Sequence, residues 1–227
     1  MPSLDFGRIF NRRAVTIQTL KYVQEDAAFV ALRNKIRDAG TDRLRHFKNG
    51  YAFEGGLALQ QNPDEFAALC LFLTKARPIR NYIEIGVASG GTCRFLRENV
   101  GFDRAFLLDD GKHPRAKEQG GNLASIENLR IFIGDSHSPE AQAFLAAHMT
   151  EKADVAFIDG DHSYEGVQAD IDLVLPFCKP GTLLILHDTV ACSGVKKAWR
   201  QLTKTANHLA EYIGAERPLG IGIAAVR

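Results

Sequence analysis

Asp159, Asp161, His162 and Glu165 crowd into the stretch FIDGDHSYEG, and a further pair, His187 and Asp188, closes the run TLLILHD. Asp159 precedes His187 by 28 positions and Asp188 by 29. Each group follows a short apolar run, so each marks the end of a buried strand. Neighbouring strand ends of a parallel sheet lie about 5 Å apart. Asp159, His187 and Asp188 therefore converge on one spot. Two carboxylates and an imidazole suit a divalent cation. Oxygen-rich sites favour Mg²⁺, and a histidine adds tolerance for Mn²⁺, Fe²⁺ or Zn²⁺. The same groups suit proton transfer. His162 and His187 are the candidate bases, with Asp159 as the base where no metal binds. Asp161 and Ser163 have a plainer part as caps of a helix over YEGVQADIDLVL, whose apolar stripe is Val167, Ile171 and Leu175.

A second candidate site is the loop in YIEIGVASGGTCRFL. A strand ends at Ile85, Gly86, Gly90 and Gly91 follow, and Thr92 stands near the start of a helix with Phe95 and Leu96 inward. Glycines let a backbone approach a ligand closely, and a helix N-terminus offers free N–H groups. The order is E-x-G-x-x-x-G-G, whereas a dinucleotide fingerprint requires G-x-G-x-x-G. Glu84, two residues before the first glycine, would repel a pyrophosphate and suits a cationic or amine-bearing ligand.

At this loop the sequence resembles class I S-adenosylmethionine-dependent methyltransferases, whose first motif is E/D-x-G-x-x-x-G. The resemblance implies that Gly86 to Gly91, Ser89 included, hold the methionine part of the cofactor, with Glu84 orienting the loop or the amino group. It implies a ribose-binding acid at the next strand end, where AFLLDD places Asp109 and then Asp110. It also implies adenine contacts at Asp135 and Ser136 in IFIGDS, and a cofactor contact at Asp159. The segment from FIDGDHSYEG to LHD resembles one branch, methyltransferase family 24, with O-methyltransferase-like members. Metal-dependent O-methyltransferases carry Asp, then Asp-Asn or Asp-Asp, at similar spacing; here His187 departs from that set. The implied reaction is methylation of a small-molecule hydroxyl on a sugar or secondary metabolite. Two rivals stand beside it. One is a metal-dependent, hydroxylase-like enzyme, which needs His162 to join His187 and Asp159. The other is a non-catalytic module that binds the cofactor or a partner.

The elements that must position these residues follow from residue 81 onward. Apolar runs NYIEIG, AFLLDD, IFIGDS, VAFIDGD and TLLILHD alternate with helical segments, which predicts parallel βαβ units with polar residues at the carboxyl ends of the strands. GIGIAAVR follows EYIGAERPL at hairpin-like separation and reads as an antiparallel pairing. The expected fold is a Rossmann-like class I methyltransferase fold. It has a mostly parallel seven-stranded sheet with an antiparallel last strand, plus N-terminal helices. Residues 1–60 are expected to form a helical cap on the substrate side, with a helix over 14–39 stopped by Gly40. Residues 61–227 are expected to form the cofactor-binding domain. NPDEFAALCLFLTKARP carries Asn62 as N-cap, Pro63 at the first turn and Glu65 completing a capping box.

The 227 residues, 45% apolar and 24% charged, suffice for one large domain. A net charge of +1 excludes a global field for nucleic acid or membrane. Residues 1–50 hold ten Lys/Arg against five Asp/Glu, densest in RLRHFKN, which reads as a solvated helix end or an anion-facing surface. Cys70, Cys93, Cys178 and Cys192 form no CxxC pair and read as buried free thiols. No stretch is long and apolar enough for a membrane span or signal peptide, so the expected location is cytoplasmic. The expected partners are a small-molecule acceptor and a second copy as a homodimer, with no nucleic acid and no membrane. The expected cofactors are S-adenosylmethionine and a divalent cation such as Mg²⁺. His113 and His137 follow strand ends and read as ordinary loop residues. Trp199, spaced with Val195 and Leu202, reads as core.

Overall fold

The computed structural model describes residues 18–19, 26–40, 56–76, 78–215 and 218–227. The apolar runs form strands where the sequence places them: β2 (Asn81–Ile85), β3 (Arg104–Asp109), β4 (Leu129–Ile133), β5 (Ala153–Ile158) and β6 (Cys178–His187). A two-residue β1 (Gln18–Thr19), β7 (Asn207–Ile213) and β8 (Ile221–Ala225) complete one sheet in the order β1-β7-β8-β6-β5-β2-β3-β4. Only β8 runs against its neighbours, β6 and β7; the other pairings are parallel. Seven strands carry the fold, and the short β1 adds to the edge.

The helices are α1 (Ala27–Asp38), α2 (Pro63–Lys75), α3 (Gly91–Asn99), α4 (Gln119–Leu123), α5 (Pro139–His148), α6 (Tyr164–Val174) and α7 (Ser193–Thr205). They cover both faces, so strand residues bury in alternation. Tyr82, Leu107, Val155, Phe157 and Ile185 pack toward α1, α2 and α3. Ile83, Leu108, Ala156, Ile158 and Leu186 pack toward α5, α6 and α7. Every residue of β2 and β5 is buried. Burial on both sides removes the polar alternation of a half-exposed strand and leaves the continuous apolar runs seen in the sequence. Val195, Trp199 and Leu202 are core, as their spacing predicts.

Four expectations are corrected. The helix expected over 14–39 starts only at Ala27, because the Asp26 side chain accepts from the N–H groups of Ala28 and Phe29, and Gln18–Thr19 pair with β7 as strand. The capping box at α2 is half made. Asn62 accepts from Asp64 and Glu65, but the buried Glu65 carboxylate instead accepts from Gly214, Leu219 and Gly220, tying α2 to the β7–β8 connection. In α6 the stripe ends at buried Val174. Leu175 is exposed because Pro176 turns the chain into the 3₁₀ turn Leu175–Phe177. Cys70 and Cys93 are buried, but Cys178 and Cys192 are only partly so. Of the expected 1–60 segment, α1 packs on α2 through Phe29 and Ile36, and the basic run of residues 43–49 lies outside the described residues. Among the described residues no helix is long and apolar enough to cross a membrane.

Candidate active site

A cavity of about 1010 Å³ opens over the carboxyl ends of β2, β3, β5 and β6. Its wall includes Gly86, Ser89, Asp109, Asp135, Ser136, Asp159, His162, His187 and Asp188, all expected from the sequence. Glu84, Gly90 and Gly91 do not form that wall. They shape it from behind.

The glycine loop is held on every side. Gly86 adopts φ +83°, and a Cβ there would collide with the Asp159 carbonyl, so β2 and β5 approach as closely as backbones can. Asp109 is buried and accepts through Oδ2 from Val87 N and Ala88 N, both at 2.8 Å, and through Oδ1 from Gly111 N at 2.8 Å. The Ser89 hydroxyl donates to Leu57 O at 2.8 Å and accepts from Gly91 N at 3.1 Å. The loop carbonyls of Ala88 and Ser89 accept from Gln119 and Asn122. Gly90 begins α3 at φ +76° with no side-chain cap, leaving that helix end to the loop. Glu84 is fully buried and accepts from Tyr82 Oη at 2.6 Å. Burial pushes its carboxyl up to about 8, with Asp159 and Asp109 adding to the rise and the Tyr82 hydrogen bond opposing it.

The opposite wall is chemically different. His187 Nδ1 lies 3.1 Å from Asp159 Oδ1 and 3.5 Å from Asp188 Oδ1. His162 Nε2 lies 3.5 Å from Asp159 Oδ1 and 3.3 Å from Asp188 Oδ2. Strand pairing produces this cluster, since Ile158 is in register with Leu186 across β5 and β6. Asp188 turns out of the strand at φ +61°, an uncommon angle for a residue with a Cβ. Burial alone would push His187 down, but Asp159 and Asp188 override it and hold the imidazole well above its usual range. Burial likewise would raise Asp159, yet His187 and His162 hold it low. The Asp159 contact raises His162 against the opposing effect of burial. His187 Nε2 and Asp188 Oδ1 are buried and make no hydrogen bond among the described residues.

Asp161 and Ser163 act as the caps the sequence predicts. Ser163 Oγ accepts from Gly166 N at 3.0 Å, and Asp161 Oδ1 accepts from Ser163 N at 2.8 Å. At the β4 end, the Asp135 side chain is exposed and accepts from His137 N, while Ser136 Oγ donates to Asp170 Oδ1 at 2.7 Å.

Sequence reasoning missed several contributors. Asp170 is buried and binds both Ser136 and His137. Burial pushes its carboxyl up to about 6. Gln60, Gln61, His113, His137 and Cys192 line the cavity. Gln119 and Asn122 support the loop from α4. No local pattern marks these residues, because each acts through a contact distant in the chain. Cys192 left a trace as a cysteine where a helix start calls for Ser, Thr, Asp or Asn, and His113 and His137 did so as histidines after strand ends.

Residues 83–189 match the family model described as a methyltransferase domain. That span runs from the first motif strand through the cluster after β6. Residues 83–189 are thus similar to a methyltransferase domain, and the fold is similar to those of solved methyltransferases. An O-methyltransferase from Bacillus cereus in complex with S-adenosylhomocysteine is 16% identical, with 91% of this chain and 96% of that one covered at a TM-score of 0.61. The O-methyltransferase TomG from Streptomyces achromogenes, involved in tomaymycin synthesis and bound to S-adenosylmethionine, is 17% identical over 90% and 94%, TM-score 0.59. The N-methyltransferase NodS from Bradyrhizobium japonicum is 18% identical over 76% and 91%, TM-score 0.55. No curated protein matches the sequence. The methyltransferase fold is therefore shared with proteins whose acceptor atoms differ.

Proposed function

We propose that this methyltransferase moves a methyl group from S-adenosylmethionine to a hydroxyl of a small-molecule acceptor, such as a sugar or secondary metabolite. One observation carries the reading. A single cavity of about 1010 Å³ has the rigid glycine loop on one wall and the histidine–aspartate cluster on the other. That is room for a cofactor together with an acceptor. The loop suits the cofactor because Gly86 to Ser89 line the cavity and the buried Asp109 holds the N–H groups of Val87 and Ala88 in place. When bound, S-adenosylmethionine supplies a methyl group on a sulfonium centre.

The chain's own residues do the rest. Asp109 fixes the loop and keeps acceptor capacity on Oδ1, which takes one N–H and has room for a ribose hydroxyl. Asp135 and Ser136 stand where the adenine end would lie. A neutral hydroxyl is a poor nucleophile and needs a base. His162 is the best placed, since its side chain is 45% exposed at the cavity and its Nε2 is oriented by Asp159 and Asp188. With the Nε2 proton directed to those carboxylates, Nδ1 takes the acceptor proton. His187, held in its charged form, balances the two carboxylates instead of acting as base. The Asp159–His187–Asp188 group fits a divalent cation by donor type, with its ligand atoms within 4.8 Å of one another. Such an ion would take the place of the His187 proton and would add Lewis-acid activation of the acceptor oxygen. The expected cap of residues 1–60 lies largely outside the described residues.

The test is turnover of S-adenosylmethionine to S-adenosylhomocysteine with panels of hydroxylated acceptors. Product formed with amine acceptors alone would contradict the hydroxyl reading. A hydroxylase-like second reading draws on the meeting of His162 and His187 at Asp159 Oδ1, two imidazoles and one carboxylate. Anaerobic Fe²⁺ titration followed by oxygen consumption separates the two readings.

A further inference from the structure

Cys192 occupies the N-cap position of α7, yet its side chain makes no cap hydrogen bond. Ser, Thr, Asp or Asn there would accept a helix N–H. The thiol turns the other way, and Sγ lies 3.5 Å from His162 Nδ1 with the Asp188 carboxylate also in reach. Three backbone features hold this arrangement. Asp188 adopts φ +61°. Cys192 N donates to Asp188 O at 3.1 Å, closing a tight turn. At Gly194 a Cβ would collide with His162 O, so α7 starts hard against the segment that carries His162.

A cysteine, a histidine and an aspartate in contact resemble a nucleophile with its base and orienting acid. The Asp188 carboxylate within reach of Sγ is a poor neighbour for a bare thiolate, whereas a divalent cation would suit the thiolate and the carboxylate together.

We propose that Cys192, His162 and Asp188 form a binding site for a thiophilic divalent cation of the Zn²⁺ type, distinct in donor set from the Asp159–His187–Asp188 group. The donor atoms of the three residues lie within 4.8 Å of one another. Zn²⁺ takes such donors at bonds of about 2.0–2.3 Å, and His162, Asp188 and Cys192 all line the cavity. Sulfur and imidazole donors select Zn²⁺ over Mg²⁺, which demands oxygen ligands in octahedral geometry. A cation here also takes the lone pair of the base, so Zn²⁺ inhibits proton transfer by His162. The ion site itself does not depend on the methyl-transfer reading.

The experiment is titration of the metal-free full chain with Co²⁺, followed by absorption. The expected result is a thiolate-to-cobalt charge-transfer band in the near ultraviolet. It should be lost in Cys192→Ser, erased by stoichiometric Zn²⁺ and unmoved by excess Mg²⁺. Circular dichroism of Cys192→Ser should match the parent chain, and His162→Ala should lose the band as well. No band, a band that survives in Cys192→Ser, or a band erased by Mg²⁺ overturns the proposal. Calorimetry with S-adenosylhomocysteine on the same metal-free sample reports separately on the cofactor reading.

Discussion

The two walls of the cavity use polar residues in opposite ways. On the β2–β3 side nearly every polar group is bonded to backbone. Asp109 takes three N–H groups, Ser89 is tied at both ends, and Gln119 and Asn122 hold the loop carbonyls. On the β5–β6 side the polar groups face one another. Two histidines share two aspartates, and His187 Nε2 and Asp188 Oδ1 make no hydrogen bond among the described residues. In the proposed function the first wall supplies shape and the second supplies proton and cation chemistry. A loop that must receive a large cofactor has to be rigid beforehand, whereas groups that handle protons must retain spare capacity.

That contrast predicts which substitutions separate binding from turnover. The largest effect falls on the reactive wall. His162→Ala lowers kcat by about 10²–10⁴-fold, the usual worth of a positioned base, while S-adenosylhomocysteine affinity in calorimetry stays within about threefold. The parent enzyme should gain rate with rising pH, because the proton on His162 must leave first. Asp159 holds it above the ordinary 6.5, so the limb of the pH–rate profile lies above that value. A limb at or below pH 6 would break the assignment.

Asp109→Ala tests the rigid wall. It removes three charge-assisted acceptor contacts and should weaken S-adenosylhomocysteine binding by about 100-fold. Its kcat at saturating cofactor should fall far less than in His162→Ala. Equal losses in both parameters for both variants would erase the distinction between the walls.

A third prediction concerns pH and stability. Glu84 has a folded value of about 8 against 4.5 in the unfolded chain. A raised folded value means the folded state binds the proton more tightly. The resulting stability is present below pH 4.5 and fades as pH rises through about 8. Glu84→Gln keeps an acceptor for Tyr82 and removes the titration. Its melting temperature should therefore decline less than the parent's between pH 5 and 9, and an unchanged slope would contradict the buried, proton-bearing Glu84.

The smallest effect is expected at Ser163, whose hydroxyl caps α6 at Gly166 N. Ser163→Ala should cost about 1 kcal/mol in denaturant unfolding and leave cofactor affinity unchanged. A large loss of activity would place this residue in the chemistry.

Much of this division was legible in the sequence. Strands buried on both faces must be continuous apolar runs, and parallel neighbours must bring their ends together. Asp159, His187 and Asp188 could therefore be placed side by side from spacing alone. The loop at Gly86 was legible because only glycine suits such close backbone approach. What escaped was set by long-range contacts. Nothing near Asp170 in the chain announces Ser136, 34 residues away, and nothing near Glu65 announces Gly214. Cys192 passed as an ordinary buried thiol because its partner, His162, arrives from another strand connection. The reading of Asp109 as a ribose ligand did not foresee its hold on Val87 and Ala88, since a carboxylate at a strand end looks the same in either role.

The most direct test of the central claim is calorimetric titration of the full chain with S-adenosylhomocysteine, beside Asp109→Ala. Saturable one-to-one binding by the parent, weakened about 100-fold in the variant, is the result expected of a cofactor loop held by Asp109. No binding by the folded parent chain would contradict the assignment of this cavity to the cofactor.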